Sequence, residues 1–328
     1  MRKLFLLAGT GLLLGLGACT SGAVKPVPAL PQPVSGERLE LVSPEAGVLS
    51  YYAAGPDNGA ADARPLLLIH SVNAAGSAYE VLPIHEHFRA TRPVYSLDLP
   101  GFGMSERSDR VYTPQLMTDA VLAVTQAIRA RHGGVAIDAL ALSLSAEFLA
   151  RAANEQPEAY ASLALVSPTG FSGRKPRHGE PGSVVGQPWL YRTLSWSAWD
   201  DGLYGLLTRP GTIRYFLERT WGSKAIDEGL WAYDQLTTQA AGAKHAPLYF
   251  VSAMLFSKDV NTLYDGLRQP VWMSHGIRGD FVDYRGTSWY ADRPNWQFTE
   301  FPTGALPQFE VPEQFLAAYT RFLSGEQP

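Results

Sequence analysis

Apolar and polar positions divide the chain into three stretches. Residues 4–16 are apolar with interspersed glycines and follow the positive pair Arg2 and Lys3. That run is too short to cross a bilayer as a helix and has the form of an export signal. Residues 20–36 carry Pro26, Pro28, Pro31 and Pro33 among small residues. Such a segment builds no core and reads as a semi-extended tether. Beyond it the pattern becomes that of a folded domain. Leu39, Leu41, Val48 and Tyr51 mark two short strands around a turn at 44–47. Leu66, Leu67, Leu68 and Ile69 form an unbroken apolar run leading to His70, as expected of a strand buried on both faces. The same reasoning predicts strands over 66–70, 94–97, 137–142, 163–166, 271–274 and 297–301. Helices are predicted over 78–88, 113–131, 146–153 and 312–323, the second opened by Thr113 and Pro114. Strands alternating with helices predict an α/β fold, a mostly parallel sheet with helices on both faces.

The alternation lapses over about 172–247 and then resumes, so this stretch reads as an inserted helical cap within one domain. The cap is rich in rings: Trp189, Trp196, Trp199, Trp221, Trp231, Tyr191, Tyr204, Tyr215 and Phe216. Over a concave site such rings suit a small apolar or aromatic ligand. They also serve as the cap's own small core, which accounts for most of them, with a few left to line a pocket. The domain reading is therefore a signal at 1–18, a tether at 19–36, and one domain over 37–328 carrying the cap.

Composition changes this picture at one point. Hydrophobic residues make up 46% and charged residues 18% of the 328, ordinary for a globular protein. The net charge of −4 and the absence of a basic patch argue against nucleic acid as a partner. The one cysteine, Cys19, closes the run Leu16-Gly17-Ala18-Cys19. That run resembles the bacterial lipobox, which implies cleavage before Cys19, a thioether to diacylglycerol, and export with a lipid anchor. Thr20 follows, where aspartate would signal inner-membrane retention. Sorting to the outer membrane is then expected if the host has one.

The candidate chemistry centres on Ala141-Leu142-Ser143-Leu144-Ser145, where a strand runs into a helix with small residues two before and two after a serine. This is a nucleophile elbow: the strained turn exposes the serine hydroxyl and places the next amide at a helix N-terminus. A helix capped by an ordinary serine is the plainer alternative. Four further runs accompany the elbow in order. They are 66–71 ending in His70-Ser71, Asp98-Leu99-Pro100-Gly101-Phe102-Gly103-Met104-Ser105, 163–170, and 270–276 followed by Asp280. Together they resemble the capped branch of the α/β-hydrolase superfamily over about 38–323. The resemblance implies Ser143 as nucleophile, the amides of Leu144 and Val72 as oxyanion donors, and Asp280 as the acid, with Asp283 second. A turn held by an Asx hydrogen bond is the other reading of Asp280. No cofactor or metal is implied.

One position breaks the pattern. The family's histidine belongs at the second residue of the run Gly304-Ala305-Leu306-Pro307-Gln308-Phe309-Glu310-Val311-Pro312, and Ala305 stands there. No histidine follows His275. His70 is the nearest substitute base by topology, or else a structural support of the oxyanion loop. His275 is expected to orient or support. His178 and His245 belong to the cap and its return, from which either could reach the site. His85, His87 and His132 are expected to face solvent or pack locally. Two readings of function stay open: a membrane-anchored serine hydrolase of ester or acyl substrates with a non-standard base, or a binding or accessory protein that keeps the apolar pocket.

Overall fold

The computed structural model describes residues 30–56, 63–173, 175–279 and 283–325. Its strands are β1 (Glu37–Ser43), β2 (Gly47–Ala54), β3 (Leu66–Ile69), β4 (Val94–Asp98), β5 (Ile137–Leu142), β6 (Tyr160–Val166), β7 (Val271–Gly276) and β8 (Trp296–Phe301). They form one sheet of order β1-β2-β4-β3-β5-β6-β7-β8. β2 pairs antiparallel with β1 and with β4, and every later pairing is parallel. The expected strands all occur, with ends shifted by at most three residues, the largest shift being β6, which starts at Tyr160 instead of 163. His70 lies just past β3 instead of within it.

The helices are α1 (Leu82–Phe88), α2 (Pro114–Arg131), α3 (Ser145–Glu155), α4 (Pro188–Leu194), α5 (Asp200–Leu207), α6 (Pro210–Trp221), α7 (Glu228–Thr237), α8 (His245–Val251), α9 (Val260–Asp265), α10 (Pro307–Glu310) and α11 (Pro312–Leu323). The predicted 78–88 helix starts as a 3-10 turn at Ala78–Val81. α2 begins as expected: the Thr113 hydroxyl accepts from the Leu116 amide at 3.0 Å, with Pro114 in the first turn.

Side-chain alternation divides the interior into two cores. Leu67, Ile69, Ala139, Ala141, Leu163 and Leu165 pack under α2, α3 and α9 with Val121, Val124, Phe148 and Tyr264. Leu66, Leu68, Leu140, Leu142, Ala164 and Val166 face the other way, onto α1 and α11 through Ile84, Phe315 and Tyr319. Both faces of the central strands are buried, which is why their sequences are apolar throughout instead of alternating.

α4 to α8 lie between β6 and β7 and rest on the loops that follow the C-terminal ends of the parallel strands. The Tyr204 hydroxyl donates to Ala74 O at 3.3 Å. Arg107 reaches from the loop after β4 to the Thr237 carbonyl and hydroxyl, at 2.8 and 2.6 Å. The Ala305 amide, after β8, donates to Thr220 O at 2.9 Å. The expected boundary near 247 falls inside α8, and the chain returns to the sheet's flank at α9, against α3.

Candidate active site

Ser143 occupies the single residue between the end of β5 and Leu144, which leads into α3, at φ +51°. The left-handed region disfavours any residue with a Cβ by about 1–3 kcal/mol, so this backbone is held in place by its surroundings. Its amide donates to Val166 O at 2.9 Å, and its carbonyl accepts from Ala146 at 3.2 Å. Serine at 145 replaces a glycine of the family pattern without leaving a buried orphan. Its hydroxyl donates to His70 O at 2.6 Å and joins the start of α3 to the end of β3. The Ser143 side chain is half-buried, and among the described residues its hydroxyl has no hydrogen-bond partner.

The loop after β3 is organised by a residue that sequence reasoning missed. Glu80 is buried and accepts from the Ser71 amide and from Asn73 Nδ2, both at 2.7 Å. Asn73 Oδ1 in turn receives the Ala75 amide at 2.7 Å. Ser71, where the family has glycine, thus has its amide occupied. The amides of Val72 and Leu144 have no partner among the described residues. Both expected oxyanion donors are therefore unoccupied, and the second sits at the N-terminus of α3.

The loop after β4 turns around Asp98. Its carboxylate accepts from the Ala78 amide at 2.8 Å, Tyr52 Oη at 2.6 Å and the Met104 amide at 2.8 Å. A Cβ at Gly103 would collide with that carboxylate, so glycine is required there. Spacing alone gave the motif, and the close approach of Gly103 to Asp98 gives its cause.

His70 is fully buried with both ring nitrogens engaged. Nε2 accepts from the Leu99 amide at 3.0 Å, which places the proton on Nδ1, 2.5 Å from Ser71 O. No lone pair is left to take a proton from Ser143. The geometry gives His70 the supporting role, and the substitute-base assignment has no basis in it. The other histidines are occupied elsewhere. His178 pairs with Asp265 at 2.8 Å and His245 lies 3.5 Å from Asp109, so neither cap-side ring descends to the serine. His275 Nδ1 lies 2.9 Å from Gly276 O, and its ring stacks on Tyr284 at 4.1 Å. His132 contacts the Tyr95 hydroxyl at 2.8 Å, and His87 lies edge-on to Phe88. His85 is buried instead of facing solvent, between Ser96 Oγ at 2.8 Å and Ser35 O at 3.1 Å. Loss of hydration lowers its pKa to about 4.

Ala305 lies in a loop whose backbone is fixed on two sides. Its amide is held by Thr220, and its carbonyl accepts the Ser167 hydroxyl at 2.7 Å. Ser167 has φ +48°, and its amide donates to Ser274 O at 2.7 Å. The preceding Gly304 amide donates to Glu310 Oε1 at 2.6 Å, and a Cβ at Gly304 would strike the backbone of Thr220 and Trp221. Asp280 lies outside the described residues. Asp283 is exposed and pairs with Arg285 at 3.3 Å.

Glu147, a further residue missed from sequence, is fully buried two residues into α3. It accepts from Thr169 Oγ1 at 2.5 Å and the Ser257 amide at 2.8 Å, and burial pushes its carboxyl pKa up. The cap aromatics meet the expectation of a cap core only in part, Tyr191 packing on Tyr249 at 3.9 Å. Trp221 and Tyr204 are buried, but Trp189, Trp196, Trp199, Tyr215 and Phe216 face solvent. α4 has no buried residue at all. These rings lack an opposing layer, and so form neither a cap core nor a pocket lining.

Comparison with solved structures agrees with this architecture. A thermophilic esterase from Thermogutta terrifontis superposes with a TM-score of 0.66 at 17% identity, over 88% of this chain and 99% of its own. A carboxylesterase from Bacillus subtilis gives 0.64 at 17% identity, over 90% and 94%. A membrane phospholipase A gives 0.63 at 20% identity, over 88% and 86%. The chain has the α/β-hydrolase fold. No protein-family model matches the sequence, and no curated protein matches it. Within the fold, Ser143 stands at the turn between β5 and α3 and Ala305 in the loop after β8.

Proposed function

We propose that this chain is an exported, lipid-anchored α/β-hydrolase-fold protein that takes an ester or similar acyl compound at Ser143. We propose further that its turnover is limited by the missing imidazole at Ala305. The observation that carries this reading is the strained Ser143, at φ +51° with an unpartnered hydroxyl. Strain of this kind persists where it positions a reacting group. In the proposed complex the carbonyl carbon lies at Ser143 Oγ, and its oxygen takes the amides of Leu144 and Val72. Attack forms the Oγ–C bond and moves the carbonyl electron pair onto that oxygen. The serine proton must leave at the same stage and, with alanine at 305 and both nitrogens of His70 engaged, it passes to solvent water. In a serine protease, loss of the triad histidine costs roughly a million-fold, about 8 kcal/mol. Oxyanion stabilisation and positioning alone leave slow turnover. The acyl group is expected to be apolar, since small-molecule sites in proteins are walled mainly by apolar side chains.

A binding role without chemistry is favoured by one specific feature. The loop at Ala305 is closed by backbone hydrogen bonds to Thr220 and Ser167 with no imidazole needed. A fluorophosphonate probe separates the two. Labelling of the full chain that disappears in Ser143→Ala supports the slow hydrolase. A wild-type chain that stays unlabelled while still binding an apolar ester supports the binding role. The anchor is tested separately, by the mass of the mature N-terminal peptide and its loss of acyl chains in Cys19→Ser. The sorting expected from Thr20 is read by density-gradient fractionation of the host's membranes.

A further inference from the structure

The outer side of the cap carries apolar surface that its own fold does not use. Trp189, Trp196 and Trp199 keep between 44% and 61% of their surface exposed, and Leu206, Tyr215 and Phe216 between 45% and 51%. All six lie on α4 to α6 or the turn between α4 and α5. That segment buries few side chains: none from α4, Asp200 and Tyr204 from α5, and Ile213 and Trp221 from α6. Single exposed apolar residues are ordinary, but six within one short helical segment are not. Among the described residues the indole N–H groups of Trp189 and Trp196 have no acceptor.

Two further observations say what covers this face. The first is the course of the N-terminal chain. Ser35 is held on α1 by Glu86 at 2.9 Å, and Pro31 O accepts the Tyr233 hydroxyl of α7 at 2.7 Å. The described chain therefore begins on the cap. α7 is joined to α6, since Arg214 stacks over Trp231 at 4.4 Å and Trp231 Nε1 donates to Pro210 O at 3.1 Å. Eleven residues lie between Cys19 and Pro31, so the two are at most about 40 Å apart. The second observation is charge. Residues 188–224 hold five arginines and lysines against three acids in a chain of net charge −4. Arg192, Arg209 and Lys224 among them are exposed.

We propose that the outer face of α4 to α6 lies on the surface of a lipid bilayer, with the indoles of Trp189, Trp196 and Trp199 at the boundary between headgroups and acyl chains. Tryptophan and tyrosine favour that boundary because the ring is apolar while its N–H or O–H reaches water or a headgroup. Arginine and lysine beside them meet anionic headgroups. The proposal takes the Cys19 anchor as its starting point and adds a second contact, which fixes how the domain is oriented and sets the cap against the membrane.

The test uses the full chain on vesicles of phosphatidylcholine, with or without phosphatidylglycerol, in which a fraction of the acyl chains is brominated. Bromine quenches only indoles that reach the acyl boundary. Quenching of the emission is expected, stronger with phosphatidylglycerol, and lost in the triple variant Trp189→Ser, Trp196→Ser, Trp199→Ser. Vesicle-bound wild-type chain with unquenched emission would overturn the proposal. So would a detergent-solubilised particle of two copies that the triple variant reduces to one, since a second copy would then cover the face. The anchor is read independently from the N-terminal mass. If Cys19 carries no lipid, the same vesicles still decide the matter. Vesicle binding that the triple variant abolishes supports the cap contact, and no binding overturns it.

Discussion

The hydroxyl of Ser167 donates to the carbonyl oxygen of Ala305 at 2.7 Å, across 138 residues of sequence. It ties the loop after β8 to the turn after β6, beside the strand end that holds the Ser143 amide. The backbone at Ala305 is thus held from both sides. Removing this hydroxyl leaves a part-buried carbonyl without its donor, which costs about 0.5–1.5 kcal/mol. Ser167→Ala should lower stability by that amount in urea melts. It should also reduce any activity gained by placing a histidine at 305. Unchanged stability would show that the loop is held by Thr220 and Glu310 alone.

Ser143 supplies a prediction that separates strain from chemistry. Glycine adopts φ +51° without penalty, whereas alanine keeps the strain. Ser143→Gly should therefore be more stable than Ser143→Ala by about 1 kcal/mol, while both lose probe labelling. Equal thermal midpoints would mean that the elbow stores no strain.

Glu80 organises the loop after β3. Glu80→Ala strands the Ser71 amide and the Asn73 side chain, and should destabilise the protein by about 1–3 kcal/mol per lost buried partner. Glu80→Gln keeps one acceptor oxygen and should lose less. A loop unaffected by Glu80→Ala, judged by hydrogen exchange at 71–75, would remove Glu80 from that role.

His85 gives the protein a pH dependence with a definite sign. Burial lowers its pKa from 6.5 to about 4, so the unfolded chain binds this proton more readily than the folded one. Stability from this group is full above pH 6.5 and is lost as the pH falls towards 4, by ~3 kcal/mol at most. The ring bridges Ser96 in β4 to Ser35 at the start of the domain, so acidification should loosen the seat of the tether first. His85→Gln should flatten the stability profile between those pH values. A variant with the wild-type slope would assign the dependence to other groups.

Much of this fold was legible in the sequence because its central strands are buried on both faces and its elbow needs small residues around one serine. Both constraints are local. The loop after β4 was legible for a similar reason, since Gly103 must admit the Asp98 carboxylate. What escaped was long-range polar bonding. Ser167 to Ala305 and Glu147 to Ser257 join side chains to backbone over more than a hundred residues, and such bonds leave no periodic trace. His85 escaped because its helix shows no period that separates a buried ring from an exposed one. The cap rings escaped because aromatic density is the same in a core, a pocket lining or an outer surface. Only the missing opposing layer tells them apart.

We propose that the Ser143 site keeps its elbow and its oxyanion amides and lacks only its base. The measurement that tests it most directly is kcat/KM for a small activated ester in the wild-type chain, Ala305→His, and Ala305→His with Ser143→Ala. An imidazole at 305 would accept the Ser143 proton through one nitrogen and need an acceptor for the other, for which Asp280 is the expected group. The account predicts a slow wild-type rate, a rise of at least about a hundred-fold in Ala305→His, and loss of that rise in the double variant. Fast Ser143-dependent hydrolysis by the wild-type chain, with no gain from Ala305→His, would contradict it.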